Sequence, residues 1–93
     1  MNKIKTHFFE LFNKLKLKPG KIVKFSIEAK SFNPKEVKLI IYENDKAVAF
    51  SEYHSGNGCF EKLSVQKEVK KGSILKFGIK YKNEILIDAV KII

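Results

Sequence analysis

The chain has 93 residues, of which 44% are hydrophobic and eight are phenylalanine. This length allows one small domain with its own core, and the apolar content excludes intrinsic disorder. The formal net charge is +9, and all 19 of the Lys+Arg residues are lysine. Because arginine makes the bidentate contacts to phosphate and guanine, its absence argues against a specific nucleic-acid reader and leaves weak, salt-sensitive polyanion binding.

Cysteine content and hydropathy bear on the compartment. The chain has one cysteine, which cannot form an internal disulfide and fits a reducing environment. No apolar run approaches the roughly 18 residues of a membrane span. The first residues interrupt their apolar positions with charge and lack a small-residue cleavage site. We therefore expect no signal peptide, no transmembrane segment and a cytoplasmic location.

Residues 3–17 are predicted to form an amphipathic helix. Its apolar positions have the spacing of one helical face: Ile4, Phe8, Leu11, Phe12 and Leu15. Pro19 and Gly20 would end it. We expect this face to cover one open side of the structure that follows. The alternative is an arm for an anionic membrane surface or for a partner's groove, with Phe8 and Phe12 in the contact.

From residue 21 the hydrophobic period becomes two, which indicates strands. Six strands are predicted, joined by short loops with Asn, Asp or Gly at the bends: 21–30, 37–43, 46–54, 59–69, 74–82 and 85–93. The clearest inward stripe consists of Leu75, Phe77, Ile79 and Tyr81. This spacing is typical of an antiparallel sandwich or a small barrel. We predict a mainly β fold in one domain over residues 1–93, with the helix at 3–17 followed by a sandwich at 21–93.

The stretch EYHSGNGCFE, residues 52–61, raises the possibility of catalysis. Its Asn-Gly pair predicts a two-residue hairpin turn. In that hairpin His54, Cys59 and Glu61 lie on one face, which is the residue set of a thiol nucleophile with its base. A bend that needs glycine explains the same residues, and no family signature surrounds the cysteine. We expect no catalytic residue and no enzymatic activity.

The same stretch contains residue types that bind metals. Zinc takes four protein ligands, or three and a water. One cysteine and one histidine lie close together in the sequence, and Glu52, Glu61 and His7 are the remaining candidates. This set does not have a zinc-site spacing, so we expect no metal and no cofactor.

Polar and aromatic residues on the outward strand faces are the candidate binding residues. The lysines predicted there would form one basic patch if strands 21–30 and 74–82 shared a sheet: Lys24, Lys30, Lys76, Lys80 and Lys82. Tyr42, Phe50 and Tyr53 are predicted to face outward, where their rings could stack on a sugar or contact a peptide. Lys76 and Lys80 complete the predicted binding set.

The stretches PGKIVKFSIEA, VKLIIYENDKAVA and KKGSILKFGIKY resemble bacterial immunoglobulin-like and fibronectin-type-III-like domains. The resemblance covers about four-fifths of the chain and implies a six-stranded immunoglobulin-like sandwich, with Tyr81 as the corner tyrosine. It implies adhesion, spacing or partner binding without catalysis. SFNPKEVKLIIYEND and LKFGIKYKNEILIDA are similar in layout to starch- and glycogen-binding modules, with Asp88 remaining of their sugar-contact motif. The strand order after residue 36 also resembles the non-carrier subunit of the bacterial sulfur-oxidation carrier complex.

We therefore expect a non-enzymatic module that binds another protein through a sheet edge or the N-terminal helix. The first alternative is a carbohydrate-binding module that takes a polysaccharide. The second is a binder of anionic membranes or other polyanions through the basic helix and the lysine-rich sheet face. A homodimer formed through the helix is a further expectation.

Overall fold

The computed structural model describes residues 4–10, 18–82 and 85–93, and describes 4–10 by their backbone pairing alone. The strands are β1 Ile4–Glu10, β2 Ile22–Lys30, β3 Val37–Glu43, β4 Lys46–Phe50, β5 Phe60–Glu68, β6 Leu75–Lys82 and β7 Leu86–Ile92. The predicted mainly β fold is confirmed, and the six predicted strands correspond to β2–β7. The predicted strand 46–54 is too long, because regular pairing of β4 ends at Phe50.

The strands form two antiparallel sheets. β2–β7 make two three-stranded units, in the orders β6-β3-β4 and β5-β2-β7, and β1 adds to β6 as a fourth strand of the first. The sheets are called here the four-stranded and the three-stranded sheet. Among the described strands only β3 and β4 are joined by a hairpin within one sheet. The turn residues Asn44 and Asp45 both have positive φ, as a type I′ turn requires.

The helix predicted over residues 3–17 is wrong where the structure describes it. Ile4–Glu10 form β1, which pairs antiparallel with β6 over seven positions. The heptapeptide IKTHFFE is rich in β-branched and aromatic residues, which favour strands, and β6 offers it an edge. Phe12 and the rest of residues 11–17 lie outside the described residues. The described part of the chain contains no helix of the length and hydrophobicity that a membrane crossing requires.

The core lies between the two sheets. Its fully buried side chains come from alternate positions of β2, β3 and β6, as the period of two predicts: Val23, Phe25, Ile27, Val37, Leu39, Ile41, Leu75, Phe77 and Ile79. Phe25 of one sheet and Phe77 of the other meet edge to face, with ring centroids 5.5 Å apart. Tyr81 is partly buried against this core.

The edge strands differ in regularity. Pairing of β4 with β3 is interrupted by a register shift at Tyr42, and pairing of β7 with β2 is interrupted between Ser26 and Glu28. β5 pairs with β2 over nine consecutive positions without a shift. Among the edge strands whose side chains are described, β5 is therefore the long and regular one.

Candidate functional site

Residues 51–59, called here the crossover segment, carry the chain from β4 in one sheet to β5 in the other. The predicted hairpin across Asn57 and Gly58 is therefore wrong, because the strands on either side of the turn pair in different sheets. The segment first follows β3, where Ser51 N–H donates to Leu39 O and His54 N–H donates to Val37 O. The Ser51 hydroxyl accepts the Leu39 N–H at 2.8 Å.

His54 is the buried centre of the crossover segment, with only 1% of its surface exposed. Its Nδ1 accepts the Gly56 N–H at 2.8 Å, which leaves the ring proton on Nε2. Nε2 lies 2.9 Å from the Cys59 carbonyl oxygen and donates to it. Because both ring nitrogens are hydrogen-bonded to backbone groups, the imidazole is arranged to hold the loop, and neither nitrogen is left to take a proton from the Cys59 thiol.

Glu61 is close to the imidazole but is bound to another residue. Its carboxylate accepts hydrogen bonds from the Ser55 hydroxyl and from the Ser55 N–H, and lies 3.9 Å from His54 Nδ1. The Ser55 hydroxyl, with a smaller contribution from the Ser55 N–H, holds the pKa of Glu61 below its ordinary value. The Cys59 side chain is exposed. The predicted trio is thus close in space but arranged as a structural network.

The acidic and other metal-ligating side chains of the described residues do not form a metal-binding cluster. Within the residues that the structure describes, no group of three or more His, Cys, Asp or Glu side chains is placed to hold a metal ion. Glu52 belongs to the crossover segment and is exposed, whereas His54 is buried. The expectation that the chain takes no metal stays a prediction.

Three predicted binding residues lie on the outer face of the four-stranded sheet. Leu39 and Ile41 are buried, so Tyr42 lies on the opposite face, where its register partner is Lys76. Lys80 lies further along that face. Lys76 also forms an ion pair of 3.0 Å with Asp45.

Phe50 and Tyr53 flank a lysine that the sequence analysis missed. Lys38 is the register partner of Lys80, and its Nζ lies 4.6 Å from the Phe50 ring centroid and 4.8 Å from that of Tyr53. Both rings are exposed, at 54% and 41%. In the sequence Lys38 stands between Val37 and Leu39, which are both buried in the core. This alternation is the sequence signal that could have predicted an outward-facing Lys38. Phe8 has a register position opposite Gly78 on β1, and its side chain is not described.

The predicted single basic patch is not formed. Lys24 and Lys30 belong to β2 in the three-stranded sheet, whereas Lys76, Lys80 and Lys82 belong to β6 in the other sheet. The prediction assumed that these strands share a sheet. The lysines therefore lie on two opposite outer faces of the fold.

The backbone of β5 presents a free hydrogen-bonding edge. Lys24 exchanges both of its backbone hydrogen bonds with Ile93, so its N–H and C=O point toward β7. Backbone groups alternate in direction along an antiparallel strand, so Val23 and Phe25 point toward β5 instead. Their register partners in β5 are Lys67 and Val65, which therefore bond to β2.

The remaining β5 residues point their N–H and C=O groups away from β2: Phe60, Lys62, Ser64, Gln66 and Glu68. Among the described strands β5 has β2 as its only partner. The position of Val69, whose N–H donates to Lys21 and whose carbonyl accepts from Gly20, agrees with this alternation. The edge thus offers donors and acceptors at five alternate residues.

A groove runs along this edge of β5. One concavity of about 480 Å³ is lined by Ser64, Val65 and Gln66 of β5, by Ala49 and Phe50 of β4, and by Lys24 of β2. A second, of about 280 Å³, lies where Tyr53 of the crossover segment approaches β5. Ser64 lines both. The β5 edge near Ser64 therefore borders this groove, which the exposed residues Phe50 and Tyr53 also line.

Comparisons of the chain with protein-family models, with curated proteins and with solved structures found no match. The immunoglobulin-like resemblance stays a prediction.

Proposed function

We propose that this chain is a non-enzymatic binding module that takes an extended segment of a partner protein along the edge of β5. The sandwich would be of the immunoglobulin-like kind, which is supported by two antiparallel sheets that exchange strands at most connections. The observation that carries the proposal is the nine-residue, unshifted β5 edge beside a groove. Strand addition to such an edge is a common way to bind peptides.

The other described edges are less suited to strand addition. β4 and β7 each contain a register shift, and such bulges twist an edge and interrupt its hydrogen-bonding row. Natural proteins use bulges to protect edges. β1 is also unshifted but pairs over seven positions, whereas β5 pairs over nine, so β5 is the longest regular edge among the described strands that a partner strand can follow.

Side chains around the groove define what the added segment should contain. Phe50 and Tyr53 offer exposed apolar surface on the β4 side, and Lys24 and Lys62 offer positive charge on the β5 side. With a net charge of +9 for the chain, an acidic segment is favoured over a basic one. For a segment of another protein, the expected ligand is an extended peptide that alternates apolar and acidic residues.

A substitution at the centre of β5 tests this proposal. Ser64→Pro removes an N–H that points away from β2, so the β2–β5 ladder keeps its bonds while the edge loses a donor and gains a ring. The matched control Ser64→Ala keeps the N–H. With a blocked nine-residue peptide of alternating valine and glutamate, we expect amide chemical-shift changes in β5 for the natural chain and for Ser64→Ala, and at least about tenfold weaker binding for Ser64→Pro.

The result that contradicts the proposal is equally specific. Peptide-induced shifts that map to β4, β7 or the outer faces and persist in Ser64→Pro would remove the β5 edge as the binding site. A circular-dichroism melt of each variant shows that the comparison is made between folded chains.

A second candidate is the binding of an acidic polysaccharide on the outer face of the four-stranded sheet. It is favoured by Lys38, whose ammonium lies between the exposed rings of Phe50 and Tyr53 and beside Lys80. Aromatic rings stack on sugars and lysine attracts carboxylates. Titration with polygalacturonate tests it: we expect shifts at Lys38 that Lys38→Gln weakens, and shifts confined to β5 would count against this candidate.

A further inference from the structure

We infer that the partner strand at the β5 edge is β5 of a second copy of this chain, paired antiparallel about Ser64. This inference rests on the proposed use of the β5 edge and names the occupant. It extends the three-stranded sheet of each copy into one continuous sheet across a two-fold axis. Such an isologous contact requires a strand that is complementary to itself.

The sequence of β5, FEKLSVQKE, is self-complementary in this arrangement. Ser64 faces Ser64 of the second copy, and on the core-facing side Leu63 faces its Val65. Further out, Glu61 faces Lys67 of the second copy, and the two-fold axis repeats that pair. From Glu61 to Lys67, apolar therefore meets apolar and acid meets base, while Phe60 faces Glu68 at the two ends of the ladder. Opposite-charge and apolar cross-strand pairs both stabilise a sheet.

The direction of the backbone groups in β5 also favours pairing about Ser64. Ser64 is one of the residues whose N–H and C=O point away from β2, so it can exchange both bonds with its symmetry mate. Lys62 and Gln66, which also point away, face each other across the axis. The central pairs of the added ladder are thus hydrogen-bonded by groups that β2 does not use.

Neighbouring registers are poorer. A shift of one residue puts core-facing side chains opposite outward-facing ones. Centring the pair on Lys62 sets two like charges opposite each other, and like charges directly opposite are destabilising. Centring it on Val65 sets Leu63 against Lys67. The register about Ser64 is the one that satisfies the charged and the apolar positions together.

Exposed apolar side chains lie on the same side of the molecule. β5 lies over β3 and β4, so a two-fold axis at β5 brings the β4 edges of two copies toward each other. Val48 and Phe50 on β4 and Tyr53 beyond it are 40%, 54% and 41% exposed. Pairing of the β5 strands would reduce this exposure, which adds hydrophobic stabilisation to the ladder.

Sedimentation equilibrium of the full chain, from low micromolar to submillimolar concentration, tests the inference. We expect a reversible monomer–dimer equilibrium for the natural chain and for Ser64→Ala. Ser64→Pro should remain monomeric over the same range. A chain that is monomeric throughout, or a dimer that Ser64→Pro leaves unchanged, overturns the inference.

Charge reversal gives a second, independent readout. Lys67→Glu replaces an attractive pair by a repulsive one twice in the dimer, and we expect the dissociation constant to rise about tenfold or more. Glu61→Lys should act similarly, although it also removes the hydrogen bonds from Ser55. An equimolar mixture of the two variants restores opposite charges at both positions. We expect it to form a heterodimer about as tightly as the natural chain pairs, and failure of the mixture to associate overturns the register.

The two proposals fail in distinguishable ways. If the chain stays monomeric while the valine–glutamate peptide still binds β5, the second copy is overturned as the occupant and the strand-binding function stands. If neither peptide nor second copy engages β5, both proposals are overturned.

Discussion

His54 is a buried polar residue that has a hydrogen-bond partner for each ring nitrogen. Gly56 N–H donates to Nδ1 and Nε2 donates to the Cys59 carbonyl, so the ring fixes both ends of the bend between them. A buried backbone group without a partner costs about 1–3 kcal/mol. The residue that the sequence suggested as a catalytic base thus acts as an internal brace of the crossover segment.

Replacing His54 tests this role. His54→Leu fills similar space but leaves the partly buried Gly56 N–H and Cys59 carbonyl without their partner, so we expect the free energy of unfolding to fall by about 1–3 kcal/mol. Cys59→Ser changes an exposed side chain and should alter it by less than about 0.5 kcal/mol. Urea denaturation of both variants measures the difference. Equal effects of the two substitutions would contradict the assignment of His54 as a brace.

At the scale of the element, the crossover segment is held against the loop between β2 and β3. Gly58 N–H donates to Ser31 O at 2.9 Å, and Gly56 packs on the backbone of Asn33 and Pro34 so closely that a Cβ there would collide with it. Gly56 also has a φ of +82°. The glycines that suggested a hairpin turn therefore serve a contact between two loops.

Gly56→Ala tests that contact, with Gly20→Ala as its control. Both glycines have positive φ, at +82° and +88°, but a Cβ at Gly20 meets nothing within 4 Å. The left-handed conformation alone costs alanine about 1–2 kcal/mol, so we expect this loss for Gly20→Ala. Overpacking adds about 1–3 kcal/mol at Gly56. Similar losses in thermal melts of the two variants would show that the loops are free to separate.

The strands and the crossover segment show which parts of the fold could be predicted from the sequence. Alternation identified β2, β5 and β6, because each buries alternate residues and the period of two records it, while an apolar run identified β3. β7 was also predicted, although its apolar residues Ile87 and Ile92 are only partly buried. Alternation failed for β1, where IKTHFFE fits a helical face as well as a strand and the deciding factor is the edge of β6. It also failed at residues 57–58, because which sheet a strand joins depends on contacts distant in sequence, such as the approach of Gly56 to Asn33.

At the scale of the whole molecule, the positive charge is distributed over both outer faces. Lys24 and Lys30 lie on one sheet and Lys38, Lys76 and Lys80 on the other. Sequence alone could place these lysines opposite the inward stripes, but it could not say which stripes belong to the same sheet. Because the lysines are spread over both outer faces, two copies of the chain repel each other at long range whichever faces approach. A specific contact between copies therefore has to be made at a limited edge that carries both acidic and basic residues. β5 is such an edge.

The exposed thiol of Cys59, which comes directly before β5, allows the distance between two paired copies of the chain to be measured. The chain has no other cysteine, so a spin label attached there marks one end of the strand without any engineered residue. In two copies paired about Ser64 the labels stand at opposite ends of the joined strands, about 34 Å apart at the rise of an extended chain. If the two β5 strands were paired two residues out of this register, the distance between the two labels would change by several ångströms. The residue that looked like a nucleophile therefore serves best as a marker of strand register.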